Sequence, residues 1–151
     1  MIMRSRQSTS RVRRYSGFTL IELMIALGIA ALLSMIAYPS FLQSVRKSHR
    51  TDAHTAMTRA SNNLERFFAT NGTYTTDAAK LGLRSDGGTA YSDNDHYIMT
   101  VTAGATGIGS SYVVSASATP GDMQEDDTGC TTFSLDSQGR RIPDPTTSRC
   151  W

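Results

Sequence analysis

Residues 17–41 read GFTLIELMIALGIAALLSMIAYPSF. The run is almost wholly apolar, yet it holds one carboxylate, Glu22, four residues after Phe18. No residue from Leu23 to Tyr38 is charged. As a helix, Phe18 to Phe41 would extend about 36 Å, enough to cross a bilayer. A buried helix of a soluble protein is the competing reading. It fits poorly in a chain of 151 residues, which has room for one modest domain.

Upstream, residues 1–17 contain Arg4, Arg6, Arg11, Arg13 and Arg14 and no acid. They read as a basic targeting leader rather than as structure. The leader carries +5 of a chain whose net charge is +2, leaving residues 18–151 at −3. A basic nucleic-acid surface on the remainder is therefore disfavoured. An ordinary signal peptide is cut after its apolar run; here the Gly17-Phe18 step precedes it. Cleavage there would leave the whole apolar helix on the mature protein. The positive-inside rule puts the arginines in the cytoplasm and the C-terminal part across the membrane, although Arg46, Lys47 and Arg50 oppose it.

Downstream the pattern changes. Pro39 should bend the helix, and Gly28 is a second weak point. Ala53, Ala56, Met57, Ala60, Leu64, Phe67 and Phe68 then recur at steps of three and four, one apolar helical face. Asn71-Gly72 is a helix stop, so one helix from about 18 to 70 is expected. The same residues with Thr73 match a glycosylation sequon, and the stop is the preferred reading. Residues 73–96 read as a connecting region with a turn around Ala78–Leu83. Tyr97–Ala103, Ser111–Ala118 and Thr131–Asp136 read as strands, and Arg140–Ile142 as a short fourth. The expected fold is α+β: a long helix on an antiparallel sheet of three or four strands.

Glu22 is costly in a bilayer, and such residues mark function. Once Gly17-Phe18 is cut, Phe18 gains an α-ammonium that Glu22 could pair with, in its own chain or a neighbouring one. Between chains, that pair would fix the register of packed helices. A solvated carboxylate near the membrane surface is the other reading, and composition alone does not choose. Cys130 and Cys150, behind an export-like N-terminus, favour a disulfide over two buried thiols.

Gly17-Phe18-Thr19-Leu20-Ile21-Glu22, with Leu23-Met24-Ile25 and a later Pro39, resembles the class III signal of type IV pilins. Tyr38-Pro39-Ser40, Val45-Arg46-Lys47-Ser48, Asn71-Gly72-Thr73-Tyr74 and the Cys130…Cys150-Trp151 ending resemble type IVa minor pilins. Within these, the likeness is to the group labelled with the letter E in pseudomonad- and xanthomonad-type systems. The resemblance implies the type IV pilin fold, its apolar first half-helix protruding, with 1–17 a cleaved leader, 18–45 a transmembrane and filament-core helix and 46–151 the head. It implies cleavage between Gly17 and Phe18 by a prepilin peptidase, N-methylation of Phe18, and assembly through Glu22. Cys130 and Cys150 would bound a surface loop, and 73–96 would be the loop between helix and sheet. Implied partners are other major and minor pilin subunits, the peptidase, the inner-membrane assembly platform and the membrane itself. The subunit would sit in the inner membrane with its head periplasmic, then in an extracellular pilus serving twitching motility and adhesion. Many members carry Gly where this chain has Ala31, so the length of any loosened stretch between Gly28 and Pro39 is open.

No catalytic constellation stands out, so an enzyme is not expected, and no cofactor or metal is implied. His49, His54 and His96 are not ligand-spaced and read as solvated. Asp93-Asn94-Asp95 and Glu125-Asp126-Asp127 carry oxygen ligands suited to Ca²⁺, but read as solvated loops. Two further functions compete. One is a competence pilin gripping DNA through Arg140, Arg141, Lys80 and Arg84. The other is a type II secretion pseudopilin, against which the two cysteines count.

Overall fold

The computed structural model describes residues 17–151. The leader ahead of Gly17 lies outside the described residues. The chain divides into two compact units after Pro39. One helix, α1 (Leu20–Asn71), supplies most of the first unit and opens the second.

In the first unit, α1 starts on a cap. The Glu22 amide donates to Thr19 Oγ1 at 3.3 Å, and the Leu23 amide donates to the Thr19 carbonyl at 3.2 Å. Thr19-Leu20-Ile21-Glu22 has the residue pattern of a capping box. From there every turn presents large apolar side chains to the outside, Leu20 at 76%, Leu27 at 70% and Ile36 at 78% exposure among them. α1 is continuous through Gly28 and Pro39. Pro39 lacks an N–H, so the Met35 carbonyl loses its helical donor. One turn earlier, Ser34 Oγ donates to the Ala30 carbonyl at 2.8 Å, a back-bond that favours bending.

The second unit holds the core. α1 buries Ala53, Ala56, Met57, Ala60 and Leu64, the face read from the sequence. Three alanines let the helix approach the sheet closely, and Met57 and Leu64 fill the space between. Phe67 and Phe68, expected on the same face, are partly covered instead; Phe68 stacks on Tyr74 at 4.6 Å. The helix ends at Asn71, where Gly72 takes φ +69° and donates to the Phe68 carbonyl at 2.8 Å.

Among the described residues the sheet has six strands, all antiparallel and in chain order. They are β1 (Arg84–Asp86), β2 (Thr89–Tyr91), β3 (Tyr97–Ala103), β4 (Tyr112–Ala118), β5 (Thr132–Asp136) and β6 (Arg141–Ile142). The central strands alternate: Tyr97, Met99 and Val101 of β3 and Tyr112, Val114 and Ala116 of β4 point inward. Register places Met99 opposite Ala116 and Ala116 opposite Phe133, one continuous apolar layer facing α1.

The expectation of three or four strands is corrected. Residues 73–96 contain the β1–β2 hairpin besides a 3-10 turn at Ala78–Lys80. Gly87 and Gly88 both have positive φ, the two-residue turn whose twist suits a hairpin. Each strand has three residues, and Arg84–Asp86 is wholly exposed, so no alternating pattern betrays it.

Candidate functional site

Among the described residues, three places carry chemistry beyond packing. The first is the start of α1. Gly17, Phe18 and Glu22 are all exposed. Among the described residues of the first unit, the apolar side chains that follow are exposed, a surface suited to being covered by something else.

The second is the C-terminal loop. Cys130 and Cys150 are disulfide-bonded, with Cα atoms 5.2 Å apart, and both are buried. α1 holds both ends of the loop. Arg50 makes a bidentate pair with Asp127, Nε to Oδ2 at 2.6 Å and Nη2 to Oδ1 at 2.7 Å. Its third arm, Nη1, donates to the Arg149 carbonyl at 2.5 Å. One turn further along α1, His54 Nε2 lies 2.9 Å from the Cys150 carbonyl, and the ring stacks on Trp151 at 4.7 Å. Phe133 closes the cluster edge-on to both rings. Burial pushes the His54 imidazole below its ordinary pKa; the Cys150 bond opposes that, and Arg141 and Arg50 add to it. Beside this clamp runs a cleft of about 710 Å³ whose lining includes Arg46, Lys47, Arg50, Arg149 and Trp151, with Asp126 and Asp127. Arg46 Nε and Trp151 Nε1 are buried there without hydrogen-bond partners.

The third is a group of side chains far apart in sequence. His49 and His96 stack with ring centroids 3.5 Å apart and planes 10° from parallel. His96 Nδ1 lies 2.9 Å from Asp122 Oδ2. Burial, and then the facing His96, push the His49 imidazole below its ordinary pKa. The reading of three solvated histidines is therefore corrected. His49 and His54 do diverge, but each turns onto a partner that sequence spacing does not reveal.

The acidic runs are corrected in part: Glu125 and Asp126 are exposed as read, while three aspartates are held by arginines. Asp93 is held bidentately by Arg59 at 2.6 and 2.8 Å, Asp95 pairs with Arg84, and Asp127 with Arg50. Arginines occupy the carboxylates of Asp93, Asp95 and Asp127. Similar pairing takes up three of the four cations of the competing DNA-binding reading. Arg84 is spent on Asp95 and Arg140 on Asp136, while Arg141 lies over the Trp151 ring at 5.1 Å. The Arg50 and His54 clamp was missed in the sequence; the neighbouring Cys150-Trp151 pair was the available signal.

A long helix whose apolar start is left uncovered, laid on an antiparallel meander with a disulfide-bounded C-terminal loop, defines a pilin-type subunit. Comparison with known families agrees. The family described as "Type IV minor pilin ComP, DNA uptake sequence receptor" matches residues 39–134, and the "Prokaryotic N-terminal methylation motif" matches residues 12–38. The chain belongs to the type IV minor pilin family. Over 85 residues it is 33% identical to the type IV major pilin protein PilA of Myxococcus xanthus, covering 54% of this chain and 39% of that one. Over 91 residues it is 30% identical to the fimbrial protein EcpC of Eikenella corrodens, covering 60% of this chain and 56% of that one. The matches thus span less than two thirds of either relative. A solved type IV pilin from Shewanella oneidensis aligns with 70% of this chain and 97% of its own at a TM-score of 0.46 and 24% identity.

Proposed function

We propose that the chain is a minor subunit of a type IV pilus, held in the inner membrane by the first half of α1 before it enters a filament. The observation that carries this is the uncovered apolar surface of Leu20–Ile36 with one carboxylate at its start. Lipid covers such a surface first, and the apolar helices of other pilins cover it after assembly. Residues 1–17 are the leader, 18–45 the filament-core segment and 46–151 the head. A prepilin peptidase cuts between Gly17 and Phe18, Phe18 is N-methylated, and an inner-membrane platform extrudes the subunit. Glu22 then meets the α-ammonium of a neighbouring subunit. The head lies in the periplasm before assembly, and the protein works as a structural part rather than as a catalyst. Gly28 and Pro39 are the points at which the core segment gives when it is packed.

Mass spectrometry of the mature protein tests this directly. The expected N-terminus is a singly methylated Phe18, in membranes and in sheared pili. An N-terminus beyond Ile36, with the apolar run removed, contradicts it.

A second reading has its own support. The matching family is described as a DNA uptake sequence receptor, and the cleft beside the disulfide gathers Arg46, Lys47 and Arg149 around Trp151. Cations next to an aromatic ring suit a nucleic-acid backbone and its bases. The −3 charge of residues 18–151 weighs against strong general affinity. The full chain in detergent should retard DNA in a salt-sensitive way if this reading holds. Lys47→Ala and Arg149→Ala should each weaken that shift. Retardation indifferent to salt and to both substitutions would exclude this cleft.

A further inference from the structure

We propose that His49, His96 and Asp122 form a site for one divalent first-row transition-metal ion, with zinc as the reference occupant. The three residues come from three elements. His49 lies on α1, His96 immediately precedes β3, and Asp122 caps a short 3-10 turn at Met123–Asp126 between β4 and β5. Their ligand atoms all lie within 4.8 Å of one another. Two ligands on one zinc ion, each bonded at about 2.0–2.2 Å, stand roughly 3–3.5 Å apart. The 2.9 Å separation of His96 Nδ1 and Asp122 Oδ2 is already close to that bite. The His49 ligand nitrogen lies within 4.8 Å of the other two ligand atoms, and its ring, stacked 10° from parallel on His96, must tilt to share an ion with it. Rotation of the side chains about their own bonds is the movement that would complete the set.

A second observation points to a ligand. Gln124 is fully buried, and its Nε2 is used by Tyr97 Oη at 2.6 Å and the Arg46 carbonyl at 3.3 Å. Its side-chain carbonyl Oε1 faces the His49 ring, where a His49 Nδ1–H can donate to it. With Nδ1 protonated toward Gln124, Nε2 is the His49 nitrogen whose lone pair is free for a metal. The supports that orient metal ligands are also present, since the Gln124 amide N–H donates to Asp122 Oδ1 at 2.9 Å. Two imidazoles with one carboxylate select zinc, copper, nickel or cobalt over calcium and magnesium, which require oxygen shells. His49, His96 and Asp122 are each partly exposed, so water can enter and fill the remaining positions. The bound ion would tie the helix to the loop that leads into Cys130, a role separate from filament entry.

The full chain in detergent micelles, stripped with chelator, is titrated with zinc chloride against a chromophoric competitor. The expected result is one ion per chain, no competition from calcium, and a melting temperature that rises with zinc concentration. His49→Gln and His96→Gln should each weaken binding at least tenfold, while His54→Gln leaves it unchanged. Circular dichroism checks that each variant is folded. If one is not, X-ray absorption of the zinc-loaded wild-type chain decides, and two imidazoles in the shell are expected. The proposal is overturned by no saturable binding, by equal binding in the folded variants, or by a shell with fewer than two imidazoles. In any of these cases the histidine stack is only a packing contact.

Discussion

Residues 20–38 and 53–68 lie on the same helix and share its geometry, yet their side chains solve opposite problems. The earlier stretch shows apolar groups on every side, and Leu27, Leu33 and Met35 all remain exposed. The later stretch is amphipathic, and Ala53, Ala56, Met57, Ala60 and Leu64 are sealed against the sheet. Amphipathicity marks a helix whose partner is part of its own chain. All-round apolarity marks one whose partners are lipid or other chains. The head also fixes its distant ends through Arg50, His54 and the disulfide, whereas the earlier stretch has Glu22 as its one charged side chain.

Substitutions on either side of the division should separate these regimes. The largest expected effect is in the head. Arg50→Ala leaves Asp127 buried without its cation and should cost about 3–5 kcal/mol of head stability. Chemical denaturation of the micelle-bound chain, followed by Trp151 fluorescence, measures it. A loss below about 1 kcal/mol would mean that the loop stands without its clamp.

Next comes a matched pair. Leu64→Ala, at a fully buried position, should cost about 2–5 kcal/mol. Leu33→Ala removes the same atoms from an exposed position and should change head stability by less than about 0.5 kcal/mol. Equal losses would erase the contrast between the two stretches.

A smaller effect is set by pH. Burial holds the folded His54 imidazole below the ordinary value of about 6.5. The unfolded chain therefore binds a proton first as pH falls. The contribution of neutral His54 is full above about 6.5 and is lost as pH drops below that toward the lowered folded value. His54→Phe should flatten this part of the stability profile between neutral and mildly acidic pH. An unchanged profile would show that another group titrates there.

Much of the head was legible in the sequence. Tyr97–Ala103 was bounded to the residue, and the other long strands to within one. The Asn71-Gly72 stop also fell where it was read. These features are local, because alternation, helical spacing and glycine punctuation act within a few residues. What was missed is long-range or too short to have a period. Hairpin β1–β2 offers six residues with no buried stripe on its first strand. The Arg50–Asp127 and Arg59–Asp93 pairs, the His49–His96 stack and the His54–Trp151 stack join positions at least 34 apart in the chain, and no local pattern encodes such meetings. Acidic and histidine-bearing stretches therefore looked solvated until the fold supplied their partners. At the start of α1 the motif was legible, but the Thr19 cap was not considered.

That cap bears on Glu22, the third residue of the helix beginning at Leu20. A carboxylate there can serve its own helix as well as a neighbouring subunit. Glu22→Gln separates the two roles, because glutamine also completes a capping box while carrying no charge. The most direct measurement is the fraction of Glu22→Gln protein in sheared filaments, compared with the fraction processed at Phe18 in membranes. Normal processing with loss from filaments, on the order of tenfold or more, is the predicted result. Incorporation equal to that of the wild type would contradict a charge matched between subunits and leave Glu22 as a helix cap.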